Sequence, residues 1–130
     1  MKYIFPLLSV FLIPFADAQN FSPDPIFGTN GLVEQNVAAG TSRMNAISVA
    51  SNGAILTAGN TNNFTSDFVV NRVSETGTPD NSFGTAGTVS IDFTNGLDNL
   101  KSMALQSDGK ILVAGSSRLN NVTSCVASRL

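Results

Sequence analysis

Two motifs in this chain recur at one fixed spacing. Asp24-Pro-Ile-Phe-Gly-Thr-Asn-Gly-Leu-Val33 returns 56 positions later as Asp80-Asn-Ser-Phe-Gly-Thr-Ala-Gly-Thr-Val89. Ser51-Asn-Gly-Ala-Ile-Leu-Thr-Ala-Gly59 returns at the same 56-residue offset as Ser107-Asp-Gly-Lys-Ile-Leu-Val-Ala-Gly115. A shared offset means that one structural unit is built twice, and such a unit buries its apolar face by stacking on its neighbour. After Gly59 the register slips by one, so that Arg72-Val73 matches Arg129-Leu130 at an offset of 57. The extra residue falls in a polar stretch, where insertions are tolerated.

Each unit reads as four short strands. Ile47 to Ala50 and Ile55 to Ala58 flank Asn52-Gly53, and Met103 to Leu105 and Ile111 to Ala114 flank Asp108-Gly109. Asn-Gly or Asp-Gly between apolar runs predicts a tight hairpin with positive φ at both central residues. A third strand is expected over Asp67 to Val73 and again over Cys125 to Leu130. A fourth is expected over Gly87 to Phe93, with a weaker counterpart over Gly31 to Asn36. No stretch shows a 3.6-residue period with caps. The expected fold is all-β: tandem four-stranded antiparallel repeats resembling propeller blades.

The first 18 residues read differently. Lys2 precedes an apolar run from Tyr3 to Phe15, and Ala16-Asp17-Ala18 offers small residues at the positions a signal peptidase reads. This predicts a cleaved signal peptide over 1–18, a mature region over 19–130, and export to the periplasm, the cell surface or the extracellular space. The repeats span about 24–79 and 80–130, the second incomplete. No later segment is apolar enough to span a bilayer as a helix.

Composition narrows the chemistry. There is no histidine, which removes a histidine-containing triad and the commonest metal ligand. The lone Cys125 allows no intramolecular disulfide and is expected to be buried within a strand. A net charge of −2 with no basic stripe gives nucleic acid nothing to bind. Ser107-Asp-Gly-Lys110 matches Ser-x-x-Lys, but across a turn rather than at a helix start. Asp80, Asp92, Asp98 and Asp108 lie near turns without a closely spaced calcium-ligand run, and read as surface turn residues. No catalytic, cofactor or metal residue is therefore assigned. Asn20-Phe-Ser22, Asn63-Phe-Thr65 and Asn121-Val-Thr123 match the glycosylation acceptor pattern and read as loop composition. The positions singled out are structural repeat positions: Phe27, Gly28, Gly53 and Gly59, with Phe83, Gly84, Gly109 and Gly115. Phe27 and Phe83 read as plugs between units rather than as loop aromatics that grip a sugar or peptide, and Arg72 and Arg129 as partners of an acid or as liners of a ligand surface.

Ala104-Leu-Gln-Ser-Asp-Gly-Lys-Ile-Leu-Val-Ala-Gly115, Phe68-Val-Val-Asn-Arg-Val73 and Thr78-Pro-Asp-Asn-Ser-Phe-Gly-Thr-Ala-Gly87 resemble the delta-60 repeat family of β-propeller repeats. The first copy departs from the pattern, with Asn52 and Ala54 where the second has Asp108 and Lys110. The resemblance implies a propeller-like blade in an exported protein and carries no catalytic residues. A closed propeller needs about four blades or more. Two units leave strand edges unpaired, which predicts either self-association, with Gly31 to Asn36 of one chain completing the open unit of another, or an unstable fragment that aggregates or is degraded. The leading functional expectation is a secreted, non-enzymatic scaffold or interaction module of unknown ligand. Its rivals are a fragment of a larger propeller enzyme of lyase or glycosidase type and an inactive gene remnant.

Overall fold

A computed structural model describes residues 22–35, 37, 41–62 and 65–130. The expected signal peptide over 1–18 lies outside the described residues, as do Asn20, Asn36 and Asn63. Seven strands follow in order: β1 (Thr41–Val49), β2 (Ile55–Asn62), β3 (Phe68–Val73), β4 (Thr88–Ile91), β5 (Leu97–Leu105), β6 (Ile111–Leu119) and β7 (Val122–Arg129). They form two antiparallel meanders: sheet 1 in the order β1-β2-β3-β4, and sheet 2 in the order β5-β6-β7. The fold is entirely β, and no closed ring forms among the described residues. No described helix is long and apolar enough to cross a membrane.

The repeat is visible in backbone detail. β1 and β5 are offset by 56 residues at both ends, and their pairing with β2 and β6 breaks at equivalent bulges, Met44/Ala46 and Leu100/Ser102. Gly59 and Gly115 stand opposite these bulges, where a side chain would strike the backbone of Arg43 or Asn99. At Gly115 a Cβ would also lie 2.7 Å from Phe68 Cζ of the other sheet.

The two Phe-Gly-Thr loops are equally alike. Phe27 N–H donates to Asp24 C=O at 3.1 Å and Phe83 N–H to Asp80 C=O at 2.9 Å. Thr29 and Thr85 then donate to Leu32 and Thr88. Gly28 and Gly84 take φ of 56° and 59°, in the left-handed region that only glycine adopts cheaply.

The hairpins differ from the sequence expectation. Only Gly53 and Gly109 have positive φ in their turns, at 82° and 83°; Asn52 and Asp108 do not. Gly53 N–H donates to Ala50 C=O at 2.9 Å, and Gly109 N–H to Gln106 C=O at 3.0 Å. These are three-residue loops, a type I turn closed by a left-handed glycine, in place of the two-residue turn expected at Asn-Gly. The asparagine and aspartate serve another purpose: their Oδ1 atoms each accept a backbone N–H two residues on, from Ala54 and Lys110, at 3.2 Å. Turns with two positive φ values lie instead at Asn120 (49°) and Asn121 (63°), between β6 and β7, and within the two Phe-Gly-Thr loops at Asn30–Gly31 (52° and 84°) and Ala86–Gly87 (49° and 80°).

A second correction concerns Gly31 to Asn36. Residues 33–35 form no strand, and Leu32 bridges only back to Gly28 and Thr29 of its own loop. Its counterpart β4 is a strand because β3 lies beside it, pairing Phe68 with Ile91 and Asn71 with Thr88. No strand pairs with 32–35 among the described residues. The loop docks on the turn after β3, with Gly28 N–H donating to Thr76 C=O at 2.8 Å.

The core lies between the sheets. One face of sheet 1, carrying Leu56, Ala58, Phe68 and Val70, meets the face of sheet 2 carrying Leu100, Ile111 and Val113. Phe68 is fully buried, and its ring meets Phe93 edge-on with centroids 5.1 Å apart.

Candidate functional site

The junction between the sheets is tied by polar contacts at one end. Ser66 leaves sheet 1 and pairs with the start of β5: its N–H donates to Gly96 C=O at 3.2 Å, and Asp98 N–H donates back to Ser66 C=O at 2.7 Å. The Ser66 hydroxyl donates to Asp98 C=O at 2.7 Å. This detour carries the next residue, Asp67, toward sheet 2.

Asp67 has a second neighbour by register. Phe68 pairs with Ile91, so one step along the ladder sets Asp67 across from Asp92. Like charges opposed across an antiparallel pair repel. Asp98 joins them from β5, and carboxylate oxygens of Asp67, Asp92 and Asp98 all lie within 4.8 Å of one another. Asp98 is 1 % exposed. Its Oδ2 accepts the Phe93 N–H at 3.0 Å, while its buried Oδ1 has no hydrogen-bond partner among the described residues. Asp92 uses Oδ1 to accept the N–H groups of Thr94 and Asn95, at 3.0 and 2.6 Å. Asp67 accepts the Ser90 hydroxyl on Oδ2 at 3.3 Å. The described ion pairs lie elsewhere, at Arg72–Asp80 and Lys110–Asp108.

The four turn aspartates therefore have three environments. Asp92 and Asp98 meet Asp67, which the sequence reading placed only in a strand. Asp80 accepts from Arg72 Nε at 2.8 Å and from the Ser82 hydroxyl and N–H at 2.6 and 2.9 Å. The Ser82 hydrogen bonds, and then Arg72, hold its carboxyl below the usual aspartate value. Asp108 is held low by hydrogen bonds from Lys110, whose ammonium is its ion-pair partner. Lys110 thus engages Asp108 rather than Ser107, and the Ser-x-x-Lys match forms no nucleophile–base pair.

The repeat positions also differ between copies. Phe83 is buried, and the Arg72 guanidinium lies 4.6 Å from its ring centroid, a cation–π contact on top of the ion pair. Phe27 is half-buried. Arg129 is exposed opposite Leu112. Cys125 is exposed, not buried: it occupies the place that Phe68 takes in sheet 1, on the face of sheet 2 turned away from the core.

Two clefts flank the junction. One of about 690 Å³ runs between β1 and β5, past Arg43, Asn45, Asn60 and Asn99, and Asn45 Nδ2 donates across it to Leu100 C=O at 2.6 Å. The other, about 590 Å³, lies between the two glycine turns, past Asn52, Leu56, Leu105 and Gln106.

Residues 106–127 match a family described as a domain of unknown function (DUF5122) beta-propeller. The match covers the Asp108-Gly109 turn, β6 and most of β7, so the similarity rests on the strand pair that carries the repeat motif. The chain matches no curated protein and no solved structure.

Proposed function

We propose that this chain is an exported, non-enzymatic β-repeat module with a delta-60 repeat as its unit, acting as an interaction surface whose first partner is a second copy of itself. The observation that carries this reading is the use made of the two faces of each unit. Inside the chain, the Leu56–Ala58–Phe68–Val70 face of sheet 1 covers the Leu100–Ile111–Val113 face of sheet 2. The repeat supplies the same two faces again. Sheet 2 turns Leu112, Ala114, Cys125 and Ala127 outward, the counterparts of the first set. Sheet 1 exposes Met44, Ile47 and Val49 at 40 %, 70 % and 63 %, the counterparts of the packed Leu100, Met103 and Leu105. A contact already formed once within the chain is available again between chains, head to tail. Exposed apolar area of this kind marks an interaction surface. The contact is made by sheet faces, not by the donated strand that the sequence suggested.

Sedimentation velocity on two single variants tests it. Leu112→Lys blocks one face and Ile47→Lys the other, so each alone sediments as a monomer while the wild type associates. An equimolar mixture holds one intact face of each kind and stops at the dimer. A wild type that stays monomeric up to its solubility limit, or a mixture without dimer, refutes the reading.

A further inference from the structure

We infer that Asp67, Asp92 and Asp98 form a calcium site that clips sheet 1 to sheet 2. The three carboxylates reach one point from separate elements: the residue before β3, the loop after β4, and β5 of the other sheet. Hydrogen bonds among the described residues take Oδ2 of Asp67, Oδ1 of Asp92 and Oδ2 of Asp98. Among the described residues the buried Asp98 Oδ1 has no partner, at a residue only 1 % exposed. A buried carboxylate oxygen without a donor carries a large desolvation cost, and two further carboxylates beside it add repulsion. A cation removes both costs at once.

The donor set selects the ion. All three ligands are hard oxygens, with no histidine in the chain and Cys125 on the outer face of sheet 2, which disfavours zinc and copper. Asp92 is exposed, so water completes the shell from the solvent side. Calcium accepts irregular carboxylate-and-water shells, whereas magnesium demands a regular octahedron. Three carboxylates without a dedicated loop fit the weak end of calcium affinity, roughly 10⁻⁴ to 10⁻³ M, as in extracellular modules. The repeat does not explain the cluster: the counterpart of Asp98 in sheet 1 is Ser42 and that of Asp67 in sheet 2 is Ser124. The acids occur where one unit meets the next and nowhere else in the repeat frame.

The full chain, stripped with EDTA, is melted with and without about 10 mM calcium chloride. Binding to the native state alone raises the midpoint by roughly 5 °C. Asp92→Asn, at an exposed position, folds and abolishes the rise, and equilibrium dialysis with radioactive calcium loses its single site in the same variant. Relief of charge repulsion also leaves metal-free Asp92→Asn more stable than the metal-free wild type. No rise in the wild type, or an equal rise in Asp92→Asn and Asp67→Asn, overturns the site. The face-contact experiment is run in EDTA, so the two proposals stand or fall separately.

Discussion

Phe68→Ala removes the side chain on which the contact between the two sheets turns. Phe68 is fully buried, its ring meets Phe93 edge-on at 5.1 Å, and its tip fills the space left open by Gly115 on the other sheet. Truncating a buried phenylalanine to alanine costs about 3–5 kcal/mol, and the lost aromatic pair places this site in the upper half of that range. Backbone strands on both sides prevent the space from closing, since β3 is held by β2 and β4 and Gly115 by its bulge. A loss of about 4 kcal/mol is a third or more of the stability of most chains this size. With a urea slope of about 2 kcal/mol per molar, the unfolding midpoint falls by about 2 M. Phe68→Leu, which keeps most of the volume, falls by less than about 1 M and covers the case in which the alanine variant does not fold. Far-ultraviolet circular dichroism follows the transition. Because the side chain belongs to sheet 1 and its socket to sheet 2, the transition stays single and both sheets lose stability together. A shift under about 0.5 M, or a split into two transitions with only one displaced, refutes the packing argument.

The acid side of the stability curve reports on Asp80. Its folded-state pKa lies below the ordinary aspartate value because of Ser82 and Arg72, so its contribution is complete above that value and disappears as pH falls through the folded pKa. The stability gap between wild type and Asp80→Asn therefore narrows between about pH 5 and about pH 2; a gap that is flat across urea titrations in this window removes the linkage. Cys125 is exposed in the single chain, so native Ile47→Lys protein, monomeric with this face uncovered, titrates one thiol per chain with a disulfide reagent at the rate of an unhindered thiol. Cys125→Ser changes stability by less than about 0.5 kcal/mol; a slow, unfolding-limited reaction contradicts the outward placement.

The architecture was legible because two kinds of signal coincided. The 56-residue offset marked the unit, and the alternating runs around Gly53 and Gly109 marked its central strands. β1 and β5 begin earlier than expected, at Thr41 and Leu97, because the bulges re-phase the alternation and their outer halves are polar. Gly31 to Asn36 carried strand-like residues, but a strand is a property of a pair, and composition does not report whether a neighbour stands alongside. Cys125 misled for a related reason. Side-chain type gives the average burial of cysteine, while the face it occupies depends on which sheet lies against it. The acidic cluster was half legible. Asp92 and Asp98 stood out near turns, yet Asp67 is joined to them only through the β3–β4 register and the detour at Ser66. Writing out the Phe68–Ile91 pairing from the sequence would have brought Asp67 opposite Asp92. The meeting with Asp98 required the two sheets to be stacked.

The paired bulges set a rule about where this chain can change length. From bulge to glycine turn the two sheets are identical in residue count, down to the pairing of Ala46 with Ala58 and of Ser102 with Ala114. At the opposite end they differ: β7 begins at Val122, three positions before the counterpart of Phe68 where β3 begins, and meets β6 across Asn120–Asn121. One residue added between bulge and glycine turn reverses which side chains meet the neighbouring sheet. The same residue added at Asn120–Asn121 only lengthens a loop, and each doubling of loop length there costs about 0.6 kcal/mol. A grafted peptide, a tag or an inserted domain enters this protein at that rim, leaving the stacked faces in phase.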